Sequence, residues 1–274
     1  MSLPHNHKNN RQPVALTIAG SDSSAGAGIQ VDLRVFSTLG VFGSTAITAI
    51  TAQNPTEVRQ VEPLASSMVQ AQIYAVAEAL PVKACKTGML WSAKTIESIA
   101  EMLARGQLPQ ACVVDPVMVS TSGSRLIETT ALNAYRDHLL PRAALCTPNL
   151  DEARTLLDNH PGQELSMEAM AQTLHHQLGC PILLKGGHCQ GNILDVLVID
   201  GKVARIWQHD RAMEINSHGS GCALSAAITA FLAQGHSLID ACNKGIGFIQ
   251  ACLHHPLRAG QHLLLGIESA SCQL

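Results

Sequence analysis

The sequence predicts an α/β fold: a central, mostly parallel sheet flanked by helices. Three observations carry that prediction. Short apolar, β-branched runs alternate with segments of helical spacing along the whole chain. The apolar runs stop at glycine, proline or a polar residue, as in "VALTIAGSD", "VVDPVMV" and "LLKGGH". No internal repeat, low-complexity tract or linker divides the 274 residues, and α/β folds of roughly 250 residues form one unit. Residues 1–12 are expected to be a disordered tail and residues 13–274 a single domain.

Val14 to Ala19 is an apolar run ended by Gly20 and reads as a buried strand. "GSDSSAGAGIQ" is a loop, after which Ile29, Leu33, Phe36 and Leu39 recur at helical spacing until Gly40. Ser44 to Asn54, rich in β-branched residues, is a strand. Ser66 to Leu80 is helical, with Ser66 the candidate cap. "VKACKTGML" is a strand entering a loop, and Ser92 caps a helix that ends before Gly106. "ACVVDPVMV" is a buried strand ending at Asp115-Pro116, because proline cannot donate to a central sheet. A helix from Thr129 to Leu140 follows, then "ALCTPNLDEA", read as strand, break at Pro148 and helix. Leu165 to Leu178 is helical, and "PILLKGGH" is a strand stopped by two glycines. Asp200-Gly201 separates two apolar runs in "NILDVLVIDGKVARIWQ", a hairpin signal. Two helices, Gly221 to Ala233 and Ser237 to Leu253, close the chain.

Composition excludes several functions. With 46% hydrophobic and 14% charged residues the chain is globular rather than disordered. A net charge of −3 gives no electrostatic grip on nucleic acid, and 3% aromatic residues give no stacking platform for single strands. The apolar run Cys222 to Ala233 is shorter than the ~20 residues of a membrane span, and "MSLPHNHKNNRQP" lacks the apolar core of a signal peptide. A cytoplasmic location with neither nucleic acid nor membrane as partner is expected. The nine cysteines are an odd number without CxxC spacing, so they are read as reduced, mostly buried thiols.

Ligands of open α/β sheets sit beyond the carboxyl ends of the strands. The polar punctuation falls there: Gly20-Ser21-Asp22, Gln53-Asn54, Lys86, Asp115, Asn149, Glu152 and Lys185. In "INSHGSGCALSAAITAFLAQG" the glycines precede a helix whose free N–H groups suit an oxyanion or phosphate. Close packing of its small residues is the alternative. Cys222 would lie in the first turn, where the helix dipole favours a thiolate. Asp115 and Glu152 could each be a cap or dipole partner; together they suit Mg²⁺, which takes one or two carboxylates plus phosphates. Lys185 could reach a phosphate or snorkel at the surface. No G-x-x-x-x-G-K-[ST] loop occurs, and Val31 stands where a dinucleotide fingerprint needs a third glycine. His175 and His176 are adjacent rather than one turn apart, His188 and Cys189 lack partners at ligand spacing, and G-x-S-x-G is absent.

"ALTIAGSDSSAGAGIQVDL", "AITAQN", "KTGML", "VVDPVMV", "TPNLDEA", "LLKGGH" and "HGSGCALSAA" follow one another from about Ala15 to Ala233. In that order they closely resemble the hydroxymethylpyrimidine/phosphomethylpyrimidine kinases of thiamine biosynthesis, in the ribokinase-like superfamily; pyridoxal kinases are the nearest confusable relatives. The resemblance implies a ribokinase-like sheet with a small β lid around "STAITAITAQN", ATP and Mg²⁺ as cofactors, and a homodimer. It implies that Gly219, Ser220, Gly221 and Cys222 form an anion hole for the transferring phosphoryl group. Asp115 and Glu152 would organise the magnesium, Asn149 and Lys185 would face nucleotide phosphates, and the pyrimidine would lie near Gly20, Asp22, Gln53, Met89 and Val117. Cys222 stands where sugar kinases of the superfamily carry an aspartate base; a thiol that stays neutral tolerates a phosphorylated acceptor, which fits two successive phosphorylations. Ser220, Ala25 and Ala223 depart from the usual threonine, glycine and threonine. A pyridoxal-type kinase and a non-catalytic pyrimidine sensor are the competing readings.

Overall fold

The computed structural model describes residues 12–120, 123–157, 165–187, 193–209 and 218–270. Most of the expected tail, with His5 and His7, and His188, Cys189 and Ile215 to Ser217 lie outside them. One nine-stranded sheet has the order β3-β2-β1-β4-β5-β6-β7-β8-β9. Its strands are β1 (Val14–Asp22), β2 (Phe42–Gln53), β3 (Val58–Pro63), β4 (Val82–Thr87), β5 (Cys112–Val114), β6 (Leu145–Cys146), β7 (Ile182–Lys185), β8 (Ile193–Ile199) and β9 (Lys202–His209). The pairings from β2 through β1, β4, β5 and β6 to β7 are parallel; β3 on one edge and β8 and β9 on the other are antiparallel. The expected α/β fold is therefore present, ending in two antiparallel edges.

The parallel strands are buried on both faces, so they read as continuous apolar runs. Two cores result. One packs β-face residues such as Leu16, Cys85 and Val114 against α2 (Ser66–Ala79), α3 (Ala93–Ala104), α4 (Ala131–Ala134), α5 (Leu150–Leu156) and α6 (Met167–Leu178). The other packs Ala15, Ala84, Val113 and Leu183 against α1 (Gly28–Thr38), α7 (Ser220–Ala233), α8 (Leu238–His254) and α9 (Ile267–Ala270). Strand periodicity of two then fixes which way the polar ends point. Lys86 shares a face with Ala84, Asp115 continues the face of Val113, and Lys185 that of Leu183. All three are aimed at α7.

The local expectations mostly stand. Ser92 accepts the Thr95 N–H as the cap of α3. Asp200 and Gly201 both have positive φ, 51° and 73°, as a two-residue hairpin turn requires. Three readings need correction. Ser66 is the first helical residue, not the cap; Ala65 holds that place without a side-chain bond. The helix expected from Thr129 to Leu140 is a short α4 widening into a π turn, Tyr135–Leu139. The chain does not close on two helices, because a hairpin of β10 (Leu257–Ala259) and β11 (His262–Leu264) and then α9 follow. Leu265, Ile267 and Ala270 are buried there, and Arg34 forms paired bonds to Glu268, tying this end to α1. The lid sequence lies in β2, whose second half, Ala49 to Gln53, pairs antiparallel with the edge strand β3 while Ile50 and Thr51 still pair with β1.

Candidate functional site

Every residue expected at the site lines one cavity of about 830 Å³ at the carboxyl end of the parallel strands, a volume within the range of small-molecule sites. Gly20 and Asp22 come from the end of β1, Gln53 from β2, Met89 from the segment after β4, and Asp115 and Val117 from the segment after β5. Asn149 and Glu152 come from the start of α5, Lys185 from the end of β7, and Gly219 to Cys222 from the turn into α7. Two residues of the polar punctuation are elsewhere. Asn54 caps its own turn by accepting from Thr56 and Glu57. Lys86 is fully buried behind the cavity wall.

The α7 entrance is bare. Gly219 sits before the helix at φ 81° with no side-chain cap, and a Cβ there would overlap the Gly26 carbonyl. The first-turn N–H groups are left for a ligand, with the positive end of the dipole behind them. A Cβ on Gly221 would stand 3.2 Å from Lys185 Nζ and 3.8 Å from Asp115 Oδ2, so the helix backbone closes directly on that ion pair. Ala25, where the family resemblance expects glycine, is in the left-handed region at φ 58°, a conformation that costs an L-residue ~1 kcal/mol.

Lys185 Nζ is 3.1 Å from Asp115 Oδ1. Asp115 also meets the hydroxyls of Thr147 (3.3 Å) and Ser225 (3.2 Å). Burial pushes the Lys185 ammonium down, but Asp115 and Glu152 outweigh it and hold the pKa above the lysine range. Glu152 and Asn149 form a reciprocal capping box: the Asn149 side chain accepts the Asp151 and Glu152 N–H groups, and Glu152 accepts the Asn149 N–H at 2.8 Å. Glu152 thus closes the capping box in the first turn of α5 and also lines the cavity. Burial lifts its carboxyl to about 7, against the pull of Lys185 and with a further push from Asp115.

Of the two expectations for Cys222, the thiolate favoured by the helix dipole does not hold, whereas the neutral thiol of the family resemblance fits. Burial, Asp115 and Asp32 raise the thiol to about 11, against Lys86 and a hydrogen bond from the Gly28 backbone. The dipole does not win, because the thiol faces carboxylates in a desolvated wall; at neutral pH it is protonated. The other described cysteines are unpaired and buried, as expected.

Asp32 and Thr17 behind the cavity wall, Ser225 beside Asp115, and His218 and Asp195 on the cavity escaped the sequence reading. Lys86 bonds Asp32 at 2.7 Å and the Cys222 carbonyl at 3.2 Å, and Thr17 donates to Asp32 at 2.6 Å. The only signal was an aspartate within the helical pattern of α1. Ser225, one turn after Cys222, looked like a packing residue. His218 lines the cavity beside Asp22 and Gln53, and its place before the glycine turn was a usable clue. Across β7 from Lys185, Asp195 accepts the Gly186 N–H and faces His209 at 3.2 Å on the cavity rim.

Comparison with known proteins gives this geometry relatives. A family model described as phosphomethylpyrimidine kinase matches residues 22–265. A hydroxymethylpyrimidine/phosphomethylpyrimidine kinase of Rhizobium meliloti is 43% identical over 92% of this chain and 93% of its own. Among solved structures, a phosphomethylpyrimidine kinase from Clostridium difficile is 39% identical with a TM-score of 0.74, covering 87% of this chain and 98% of that one. A pyridoxal kinase from Staphylococcus aureus, in complex with AMP-PCP and pyridoxal, is 30% identical with a TM-score of 0.81, covering 94% of each chain.

Proposed function

The chain belongs to the phosphomethylpyrimidine kinase family and is a phosphotransferase, and from that premise we propose its reaction. It transfers the γ-phosphoryl group of ATP to the hydroxyl of 4-amino-5-hydroxymethyl-2-methylpyrimidine and then to the resulting monophosphate, as steps of thiamine biosynthesis. One observation carries this reading: the bare α7 entrance, the Asp115–Lys185 pair and the Gln53 amide border a single cavity.

Phosphoryl transfer spreads negative charge over the γ-phosphate oxygens, so the protein acts by positioning and electrostatics. In this reading the α7 N–H groups from Ser220 to Cys222 receive those oxygens, and Lys185 and Asn149 face the phosphates. The acceptor oxygen attacks phosphorus in line as the bond to the β-phosphate oxygen breaks and ADP leaves; the hydroxyl of the first acceptor gives its proton to solvent through the cavity, and the phosphate oxygen of the second acceptor attacks already ionised. A Cys222 thiol lifted to about 11 is a neutral neighbour of the acceptor hydroxyl, not a standing thiolate base. A neutral group adds no repulsion when the acceptor already carries a phosphate. Gln53, with both a donor and an acceptor on its amide, suits an aminopyrimidine edge.

Magnesium fits the donor set. Asp115 and Glu152 are both buried, and burial first, then the Asp115 charge, raise the Glu152 pKa, a penalty that a cation relieves. Among the described residues no group of three His, Cys, Asp or Glu could hold a metal by itself, consistent with an ion shared with phosphates and water. Asp115 and Glu152 would hold it, and it would supply positive charge to the phosphate oxygens.

The homodimer and the cytoplasmic location extend the same family reading; no described helix is long and apolar enough to cross a membrane. A sensor would have no use for a lysine and two carboxylates converging on an open helix entrance. The test is incubation with the hydroxymethylpyrimidine, ATP and Mg²⁺, following mono- and diphosphate separately. Both products are expected. Turnover of pyridoxal but not of the pyrimidine would transfer the assignment to the pyridoxal-type reading, and ligand binding without ATP turnover would restore the sensor.

A further inference from the structure

We infer that His218 is a positioning residue that fixes the orientation of the Gln53 amide and so sets the site's preference for an aminopyrimidine edge. The inference rests on the proposed reaction and concerns a residue with no role in it so far.

Gln53 is gripped at both ends. Its backbone N–H donates to Ser23 Oγ and its carbonyl accepts from the same hydroxyl, both at 2.8 Å. Its side-chain amide lies between Thr51 Oγ1, 3.2 Å from Gln53 Oε1, and His218 Nε2, 3.3 Å from Gln53 Nε2. An amide can present nitrogen or oxygen in either direction, and its partners decide which. Thr51 Oγ1 lies 3.0 Å from the Ser21 carbonyl, which can only accept, so the hydroxyl proton belongs there. Thr51 Oγ1 is then an acceptor toward Gln53 and calls for the amide nitrogen. On the other side, His218 Nε2 lies 3.4 Å from Asp22 Oδ2. That carboxylate also accepts from Ala27 N and, through its other oxygen, from Ser24 N and Oγ. Burial raises the Asp22 pKa, but the His218 and Ser24 hydrogen bonds outweigh it and keep the group ionised. A carboxylate facing Nε2 requires a proton on Nε2, and that single N–H, shared between Asp22 Oδ2 and Gln53, calls for an acceptor, the amide oxygen, on the Gln53 side.

Both neighbours therefore call for the amide turned over from that placement, its nitrogen toward Thr51 and its oxygen toward His218, an exchange of two nearly isosteric atoms. One N–H and one lone pair of the amide remain for the cavity, in a fixed order. A ring nitrogen flanked by an exocyclic amine presents the matching acceptor and donor. Asp22 acts through His218, since its own oxygens are occupied by protein donors. His218 also directly precedes Gly219, so the ring-reading end and the α7 entrance share one short turn.

The test is a cycle between protein and ligand. The hydroxymethylpyrimidine and its analogue lacking the 4-amino group are compared as acceptors for wild type, His218→Ala and His218→Gln, whose amide nitrogen can replace Nε2–H. Thermal melts verify folding, and KM for ATP is measured alongside. Wild type is expected to lose about a hundredfold in kcat/KM when the amino group is absent. His218→Ala should reduce that penalty to under about fivefold with KM for ATP little changed, and His218→Gln should restore most of it. An equal penalty in wild type and a folded His218→Ala overturns the inference while leaving the proposed reaction intact. So does a loss in His218→Ala that falls equally on both acceptors and on ATP. If His218→Ala does not fold, His218→Leu, which keeps bulk without a donor, is read in its place: a penalty under about fivefold supports the inference, and a penalty equal to that of wild type in a folded protein overturns it. Wild-type enzyme that phosphorylates neither pyrimidine overturns the proposed reaction and this inference together.

Discussion

Two lysine–aspartate pairs lie on the same face of the sheet, and they differ in what surrounds them. Lys86 and Asp32 meet at 2.7 Å with both side chains wholly sealed beneath α1 and α7. Lys185 and Asp115 meet at 3.1 Å with the lysine side chain 14% exposed to the cavity. The sealed pair is complete: Thr17 and the Cys222 carbonyl take up further bonding capacity. The open pair borders Glu152 and the bare α7 entrance, so it has charge and space left for a ligand. Similar chemistry thus serves as a support in one place and as a candidate site in the other. Solvent access, not residue type, makes the difference, because an ion pair without water is fixed whereas one beside a cavity can exchange partners.

The largest expected effect comes from breaking the sealed pair. Lys86→Met leaves an uncompensated buried carboxylate and should cost about 3–5 kcal/mol of folding stability, read by urea denaturation. Lys86→Met with Asp32→Asn should recover most of that loss; if the double variant is as unstable as the single, the pair is not the cause. Lys185→Met should invert the pattern. Stability should fall by less than about 2 kcal/mol, because Thr147 and Ser225 still serve Asp115, whereas kcat should drop by about a hundredfold. A drop in stability matching that of Lys86→Met would erase the distinction.

The smallest effect uses Cys222, which feels both pairs. Iodoacetamide modification should rise with a midpoint near the raised value of about 11 rather than the ordinary 9. Asp115 raises this thiol, so Asp115→Asn should move the profile to lower pH. For stability the sign is fixed. A raised thiol pKa means that the folded state holds its proton while the unfolded chain releases one, so stability falls between about 9 and 11 and is unaffected at neutral pH. An unchanged alkylation profile in Asp115→Asn would show that Asp115 and Cys222 are not electrostatically coupled.

Much of the molecule was legible because periodicity records burial. Val113 and Val114 are apolar because both faces of β5 are covered, and Asp115 marks where that cover ends. The glycine turn before α7 was legible because few other residues reach φ 81° beside a carbonyl. Lys86 was misplaced because a sequence shows that a lysine ends a strand, not that a helix is laid over it. The dipole argument alone misjudged Cys222, because the dipole is local whereas Asp32 and Asp115 arrive from other elements. Ser66 was taken for a cap because the helix begins one residue earlier than its polar side chain suggests.

By itself the sequence determined the order of strands and helices, the ends at which polar residues gather, and the family likeness. These follow from backbone preferences and burial, which act over a few residues. Only the tertiary structure decided which lysine is dry and which faces the cavity, that Cys222 keeps its proton, and that His218 stands between Asp22 and Gln53. Those outcomes depend on desolvation and on polar groups separated by up to 196 residues of chain, and distances in space are not written in the spacing of a sequence.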